Sequence, residues 1–299
     1  MSMTKWDTND IPDQKGRVVI VTGSSSGIGK EAARVLAGKN ASVVLAVRNV
    51  NKGQNVANEI RRESPDSHVS VRELDLADLK SVKAFADSFI RDYDRLDILI
   101  NNAGVMMCPY AKTRDGFEMQ FGTNHLGHFA LVGQLLPLLK KTSRSRLVAL
   151  SSLAHKGGKL DFTDLNWINR SYNTNQAYFD SKLANLYFAY LLAEKVGAEG
   201  SNPKVTIAHP GWTATELQRH SGMMGFLNKL LAQGVDMGAL PTLRAATDEG
   251  ATPGMFYGPA RFFEMHGHPV KVKSTARSHD MDTARELWKQ SEEMTGVSY

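Results

Sequence analysis

The sequence predicts an α/β protein, a single domain built on a doubly wound parallel sheet of the Rossmann-like kind, with helices on both faces. Short apolar runs alternate six times with segments of helical periodicity along the 299-residue chain. All but one of these runs are apolar nearly throughout, as expected for strands covered on both faces. Because no linker or change of composition separates the alternations, we expect one domain over residues 17–299 after a polar tail at 1–16.

Each predicted strand is a run rich in Val, Ile, Leu and Ala that ends in small or polar residues. The runs are RVVIVTG (17–23), SVVLAVR (42–48), HVSVRELD (68–75), LDILINNAG (96–104), SRLVALSS (145–152) and KVTIAHPG (204–211). The third run alternates apolar with polar residues, which indicates a less buried strand. Ligands of such sheets bind beyond the carboxyl ends of the strands, so the residues that follow each run are the candidates for a site.

The segments between the strands carry apolar residues at spacings of three and four, which is typical of amphipathic helices. These helices are predicted at 27–37, 51–62, 79–93 and 118–141, and a fifth begins at Tyr178. Helices of this length between successive strands are the crossovers that a parallel sheet requires.

Composition and charge exclude several classes of protein. The formal net charge of +5 is spread along the chain, and no basic block with interleaved aromatic residues suggests nucleic-acid binding. No apolar run reaches the roughly 20 residues that span a membrane, and the first residues show no signal pattern. Cys108 is the only cysteine, so no intrachain disulfide can form. We therefore expect a soluble, cytoplasmic protein.

The first predicted strand leads into the glycine-rich segment TGSSSGIGK (22–30). Its glycines, Gly23, Gly27 and Gly29, allow a tight turn and bring backbone N–H groups close to an anion at the positive end of the next helix. The spacing G-x-x-x-G-x-G differs from the usual G-x-G-x-x-G fingerprint of dinucleotide sites. By itself the segment therefore fits an ordinary turn as well as a phosphate site.

The end of the second predicted strand indicates the choice of nicotinamide cofactor. An acid at this point binds the ribose hydroxyls of NAD(H), whereas an arginine accommodates the 2′-phosphate of NADP(H). The strand ends at Arg48, Lys52 follows, and no Asp or Glu occurs between Ala41 and Asn58. A solvated surface charge is the alternative for Arg48. The missing acid favours NADP(H).

The other strand ends supply further candidates for contacts with a dinucleotide. Asp75, which precedes Leu76, is placed to accept a hydrogen bond from an adenine amino group. In NNAG (101–104), Ala103 and Gly104 leave room for a ribose. The last two predicted strands end at Ser151-Ser152 and at Pro210-Gly211.

The segment YFDSK places Tyr178 and Lys182 four residues apart on a predicted helix, and therefore on one face. A nearby cation favours the phenolate and lowers the pKa of a tyrosine from its usual value near 10. Such a pair is a proton donor tuned toward the working pH. For an isolated pair, a chance arrangement on a half-buried helix surface is the alternative.

The motifs TGSSSGIG, NNAG, SS and YFDSK occur in this order and together resemble the short-chain dehydrogenase/reductase family over nearly the whole chain. The segments GTNHLGHF, SSLAHKGGKL and YFDSKLAN further resemble its retinol-dehydrogenase-like branch. The resemblance implies an oxidoreductase that transfers a hydride between NADP(H) and a carbonyl or alcohol of a hydrophobic small molecule.

The resemblance also implies a role for each matching residue. Tyr178 corresponds to the general acid, and Lys182 to its cationic partner, which also binds the nicotinamide ribose. Ser152 corresponds to the serine that polarises the carbonyl; Ser151 is the alternative, and alternation along a strand lets only one of them serve. Asn124 corresponds to the asparagine that holds a water of the proton relay, or is an amide bonded to local backbone. Cofactor contacts are expected from Gly23, Ser25, Ser26, Gly27, Ile28, Gly29, Arg48, Asp75, Leu76, Asn102, Ala103, Gly104, Tyr178, Lys182, Pro210, Gly211, Thr213 and Thr215.

Two segments depart from the family pattern or extend it. The spacing of 25 residues between Ser152 and Tyr178 is longer than is usual in the family, which predicts an inserted loop at 155–176. This loop is expected to shape the substrate entrance or to mask helix faces used for tetramers, so a monomer or homodimer is expected. The apolar segment 212–240 resembles the substrate lid of the family, with core or dimer packing as the alternative.

Two other functions remain open at this point. The light-dependent protochlorophyllide reductases resemble this sequence and use a similar Tyr/Lys pair to reduce a C=C bond. A protein that binds NADP(H) as a sensor without turnover is the second alternative. His266 and His268 lack an apparent third ligand, so no metal site is expected.

Overall fold

The computed structural model describes residues 5–200, 202–213 and 233–299. Its strands are β1 (Val18–Thr22), β2 (Ser42–Val47), β3 (His68–Glu73), β4 (Ile98–Asn101), β5 (Arg146–Leu150), β6 (Lys204–Ala208), β7 (Phe256–Arg261) and β8 (His266–Lys271). They form one eight-stranded sheet in the order β3-β2-β1-β4-β5-β6-β7-β8. Strands β1 to β7 pair in parallel, and β8 pairs antiparallel with β7. The predicted doubly wound sheet is thus confirmed.

Helices cover both faces of this sheet. They are α1 (Gly27–Gly38), α2 (Val50–Glu63), α3 (Leu79–Asp92), α4 (Gly127–Lys141), α5 (Thr174–Ala198), α6 (Val235–Thr247) and α7 (Met281–Thr295). Alternate residues of β1 enter different apolar layers: Ile20 faces α3, α4, α5 and α7, whereas Val19 and Val21 face α1, α2 and α6. The chain reverses its direction across the sheet between β1 and β4, and this reversal opens a crevice at their carboxyl ends.

Several predicted boundaries are wrong in ways that local contacts explain. The helix that carries Tyr178 begins one turn earlier, at Thr174, because the Asn173 side chain caps it by accepting from the Gln176 N–H. Strand β4 is shorter than the predicted 96–104, since residues from Asn102 onward turn to bond with Thr22. The expected tail is docked: Ile11 is buried in the core.

The sequence predicts no regular elements after β6, whereas the described residues beyond it form α6, β7, β8 and α7. Residues 235–240 of the expected lid belong to α6, where Ala239 and Leu240 are buried in the core. Most of the expected lid, 214–232, lies outside the described residues. The expected loop 155–176 ends at Asn173, where α5 begins, and the side chains of Leu165 and Trp167 in this loop are buried. Within the described ranges, no helix is long and apolar enough to cross a membrane.

The C-terminal helix α7 stabilises the two helices that border the crevice. Trp288 lies 5.3 Å from Phe129 of α4 and 5.7 Å from Phe188 of α5, measured between ring centroids. Tyr299 closes the cluster at 4.5 Å from Trp288. These aromatic contacts hold α4 and α5 together beneath the residues that face the crevice.

We expect Trp288→Ala to lower the free energy of unfolding by about 3–5 kcal/mol, because it removes a large buried ring from this cluster. Denaturant titration followed by circular dichroism measures the change. Ile90→Ala, at a side chain that is 45% exposed on α3, is the control and should stay within about 0.5 kcal/mol of wild type. A loss below about 1 kcal/mol for Trp288→Ala would show that α7 is not part of the cooperative core.

Candidate active site

A cleft of about 740 Å³ lies beyond the carboxyl ends of the parallel strands. Its lining includes every predicted site residue within the described ranges except Asn124. Thr215, for which a cofactor contact was predicted, lies outside the described residues. Residues that are distant in sequence therefore meet at one edge of the sheet, where the topology of the strands places them.

The glycine-rich turn between β1 and α1 forms one end of the cleft. Gly23 has φ +67°, and a Cβ at this position would lie 2.8 Å from the Cα of Ala103. At Gly29 a Cβ would collide with the side-chain amide of Asn102. Ser26, the N-cap of α1, does not cap it with its side chain. The first N–H groups of α1 therefore remain available to an anion, as a bound diphosphate requires.

Thr22 ties this turn to the NNAG loop. Its Oγ1 accepts hydrogen bonds from the backbone N–H groups of Asn102 and Ala103, each at 2.9 Å. The Asn102 side chain donates back to the Thr22 carbonyl at 2.7 Å. Asn102 thus holds the two loops together while it lines the cleft.

His128 extends this network. The only sequence signal for it is its position four residues after Asn124, on the same predicted helix. Its Nδ1 lies 3.1 Å from the Asn124 carbonyl, and its Nε2 lies 3.0 Å from Thr22 Oγ1. Because a carbonyl only accepts, we assign the proton to Nδ1, which leaves Nε2 to accept from the Thr22 hydroxyl. Burial lowers the pKa of His128 to about 4, so the ring is neutral near pH 7.

Two cations lie at the other end of the cleft, beyond β2. Arg48 is exposed and, like Lys52, lines the cleft. Within the described ranges neither has an acidic partner. Asp75 and Leu76 line the neighbouring wall, and Asp75 Oδ1 accepts from the Ala77 N–H at 3.0 Å. This end of the cleft is therefore positively charged next to a single carboxylate.

Tyr178, Lys182 and Ser152 meet in the middle of the cleft. Both Tyr178 and Ser152 line the cleft, and the Ser152 hydroxyl lies close enough to the phenol to lower its pKa. Lys182 Nζ lies 5.7 Å from the centre of the Tyr178 ring. The structure distinguishes the two serines: Ser151 Oγ donates to the Lys182 carbonyl at 2.9 Å, whereas the Ser152 side chain lies beside the phenol. Only Ser152 is placed to contact the same substrate atom as Tyr178.

The ionisation of the pair differs from the sequence-based expectation. Burial raises the pKa of Tyr178 to about 12, and the neighbouring Ser152 hydroxyl offsets only part of this shift. Burial also lowers the pKa of Lys182 to about 8. The Tyr178 pKa is therefore raised, not lowered as expected. Desolvation penalises both charged forms, and it outweighs their attraction when the two groups lie in the interior together.

Asn124 is in a π-helical turn, Gly122–Leu126, immediately before α4. Its Oδ1 accepts from the Val105 N–H at 2.8 Å, and its Nδ2 donates to the Val105 carbonyl and to Ser181 Oγ, each at 2.9 Å. The side chain is thus bonded to the backbone of Val105, 19 residues away in sequence, and to α5, and not to local backbone as in the alternative considered for it. A role in a water relay stays a prediction.

The remaining wall of the cleft is apolar and, apart from Trp212 of the expected lid, was missed by sequence reasoning. It consists of Met106, Met107, Leu153, Ala154, Trp212 and Met265. Met265 comes from the turn between β7 and β8, where no strands had been predicted. Cys108 also borders the cleft, and burial raises the pKa of its thiol. Thioethers and an indole make a pliable wall suited to hydrocarbon.

The histidines of HGH do not join the cleft lining. His268 Nδ1 lies 3.0 Å from the Trp6 carbonyl, where it holds the N-terminal segment against β8. Across the described part of the chain, no group of three or more His, Cys, Asp or Glu side chains could hold a metal ion.

Comparison with known proteins agrees with this geometry. The sequence profile described as short chain dehydrogenase matches residues 17–224. The chain belongs to the short-chain dehydrogenase family. Human retinol dehydrogenase 13 is 43% identical to this member over 293 residues, covering 94% of this chain and 85% of that protein. Mouse retinol dehydrogenase 12 is 42% identical over 289 residues, covering 95% of this chain and 88% of the relative.

Solved structures of family members agree as well. An uncharacterized protein of Mycobacterium paratuberculosis superimposes with a TM-score of 0.84 at 40% identity, and 99% of each chain is covered. A Shigella flexneri short chain dehydrogenase in complex with NADP superimposes with a TM-score of 0.64 at 27% identity, covering 82% of this chain and 97% of that one. The protein is therefore an oxidoreductase of the retinol-dehydrogenase-like branch, and its family uses a nicotinamide cofactor.

We expect Lys182→Met to abolish turnover and yet to stabilise the fold at pH 7. The folded-state pKa of about 8 lies below the usual 10.5, so the folded protein holds this proton more weakly than the unfolded chain does. The penalty applies in full below about pH 8 and disappears as the pH rises toward 10.5. Its removal should raise the free energy of unfolding by on the order of 3 kcal/mol.

Urea titrations at pH 7 and at pH 10 measure this gain, which should shrink at the higher pH. Lys141→Met, at an exposed lysine at the end of α4, is the matched control and should show no gain at either pH. Equal stability of Lys182→Met and wild type at pH 7 would contradict a desolvated ammonium.

Proposed function

We propose that this protein is an NADP(H)-dependent carbonyl reductase or alcohol dehydrogenase that acts on a hydrophobic small molecule. The observation that carries the proposal is the meeting of Tyr178, Ser152 and Lys182 in a cleft with an anion-ready helix N-terminus at one end and an apolar wall beside it. An acid, a hydrogen-bond donor and a cation in one place are what carbonyl reduction requires of a protein.

The cleft fits a dinucleotide along its length. The turn at Gly23 and the N–H groups of α1 would bind the diphosphate, and Ala103 and Gly104 would lie against a ribose. Pro210, Gly211 and Thr213 also line the cleft and would contact the nicotinamide end of the cofactor. When bound, the nicotinamide supplies or accepts the hydride.

The protein groups move the proton and stabilise the developing charge. In reduction, Ser152 donates a hydrogen bond to the carbonyl oxygen, and Tyr178 Oη gives that oxygen its proton as the carbon receives the hydride. In oxidation, the Tyr178 phenolate takes the proton of the alcohol. Lys182 stabilises this phenolate, which its deep burial would otherwise disfavour. Because these groups are fixed before the reaction, little reorganisation opposes the transition state.

The preference for NADP(H) rests on charge at the end of β2. Arg48 and Lys52 line the cleft without an acidic partner within the described ranges, so a 2′-phosphate would compensate two cations. The acid that would bind the free ribose hydroxyls of NAD(H) is missing between Ala41 and Asn58. The NADP-bound relative from Shigella flexneri supports the same choice.

The substrate is expected to be apolar because its wall is made of methionines, Leu153, Ala154 and Trp212. Retinoid aldehydes and alcohols are one candidate class, since the retinol dehydrogenases are similar over most of this chain. Long aliphatic, aromatic and steroid carbonyls share the required chemistry: one polar oxygen on a hydrocarbon body.

Tyr178→Phe should lower kcat/KM for aldehyde reduction by about 10²- to 10⁴-fold, because it removes only the proton donor. NADPH affinity, measured by fluorescence titration, should change less than twofold. Tyr190→Phe, on the same helix with its hydroxyl on Ser274, is the matched control and should retain wild-type rates. Undiminished turnover of an aldehyde in the dark by Tyr178→Phe would reject the mechanism.

Wild type should prefer NADPH over NADH by at least tenfold in kcat/KM, and Arg48→Asp should reverse the order. The introduced carboxylate repels the 2′-phosphate and can accept from the free ribose hydroxyls. Lys141→Asp changes the net charge equally, away from the cleft lining, and should leave the preference unchanged. A tenfold preference of wild type for NADH, about 1.4 kcal/mol in the opposite direction, would overturn the assignment.

A further inference from the structure

The wall of the cleft next to the NNAG loop is held in an unusual backbone conformation. Met107, which lines the cleft, has φ +50°, in the left-handed region that side chains other than glycine rarely adopt. Such conformations persist only where surrounding contacts hold them, and they concentrate at functional sites. The conformation of Met107 therefore depends on the contacts around it.

Gln120 supplies the main contact. Its Oε1 accepts the Met107 N–H at 2.7 Å, and its Nε2 donates to the Thr174 carbonyl at 2.9 Å and to Tyr172 Oη at 2.8 Å. The Thr174 carbonyl can only accept, so the orientation of the amide is determined. Gln120 is fully buried, so these bonds have no competition from water.

Tyr172 connects this amide to the inserted loop. Its hydroxyl donates to Glu118 Oε1 at 2.8 Å, and Glu118 Oε1 and Oε2 also accept the backbone N–H groups of Gln120 and Phe121. Glu118 is itself fully buried. The Tyr172 hydroxyl therefore joins two buried side chains, and its loss would leave both with an unmet bond.

The hydrogen bonds that join Met107, Gln120, Tyr172 and Glu118 are called the clamp below. This clamp also reaches α5, the helix that carries Tyr178. Thr174, the first residue of α5, accepts from Gln120 through its carbonyl and donates from Oγ1 to the Cys108 carbonyl at 2.8 Å. Tyr178 follows one turn later on this helix. The position of the wall at 106–108 relative to Tyr178 is thus set by contacts that the end of the inserted loop completes.

We propose that Gln120, held by Tyr172, is a positioning residue that fixes the part of the apolar wall around Met107. Through this contact the inserted loop determines which carbonyl substrates the cleft accepts. The inference rests on the proposed function and concerns the specificity of the same site. An extended apolar substrate reaches the wall and benefits from its preformed shape. A short substrate needs only Tyr178 and Ser152. Selectivity for length therefore depends on the clamp.

The test compares Tyr172→Phe with Tyr110→Phe, the same change on the ring that lies 5.1 Å away. Tyr110 is 41% exposed, and its hydroxyl bonds only weakly, at 3.5 Å, to the Asn166 carbonyl. Decanal and propanal are the probes, with NADPH as the reductant. In Tyr172→Phe we expect KM for decanal to rise about tenfold, while KM for propanal and the Kd for NADPH change less than twofold. Tyr110→Phe should match wild type throughout.

A second variant tests whether Tyr172 acts through Gln120. Gln120→Met keeps the side-chain length but removes the bond to Met107, and it should raise KM for decanal at least as much. The double variant should be no worse than Gln120→Met alone, since both changes break one chain of contacts. Additive effects, or equal losses on both aldehydes, would overturn the proposal.

Hydrogen–deuterium exchange separates this proposal from the proposed function. Amides of the segment 105–108 should exchange faster in Tyr172→Phe than in wild type or Tyr110→Phe, whether or not the protein reduces aldehydes. Failure of wild type to reduce either aldehyde would reject the proposed function alone, and unchanged exchange would reject the clamp. Faster exchange with unchanged selectivity would show that the clamp holds the wall without determining specificity.

Discussion

The rest of the structure depends on one hydroxyl, Thr22 Oγ1, at the point where the sheet changes direction. It receives the N–H groups of Asn102 and Ala103, and His128 accepts from it in turn. These bonds join the end of β1 to the end of β4, and each strand end begins a loop that forms part of the cleft. The two loops approach so closely that even a Cβ at Gly23 would collide with Ala103.

Chemistry and stability make opposite demands on the centre of this cleft. Tyr178 and Lys182 are almost fully buried, which raises the pKa of the first and lowers that of the second. The fold therefore holds two groups in a medium that disfavours their charged forms. In such a site each charge interaction with a substrate is stronger than it would be in solution. The aromatic cluster around Trp288 supports the helices that hold these groups.

The inserted loop contributes to a wall of the cleft that the family motifs do not supply. Tyr172 reaches Gln120 and Glu118, which precede α4, and Gln120 reaches Met107. Tyr178, Lys182 and the glycine-rich turn belong to the family motifs, whereas the wall depends on buried polar contacts outside those motifs. Buried networks of this kind fix one geometry because an unmet bond in the interior is unfavourable.

The sequence by itself determined the parallel sheet, the strands β1 to β6 and nearly all residues at the strand ends, because periodicity, glycine spacing and strand direction are local properties. Only the tertiary structure decided the rest. The Tyr178 pKa depends on burial, and the Asn124 amide is oriented by the distant backbone of Val105. Met265 reaches the cleft from the β7–β8 hairpin, whose sequence has no clear pattern of its own. Each of these follows from contacts between residues far apart in the chain, which no window of sequence contains.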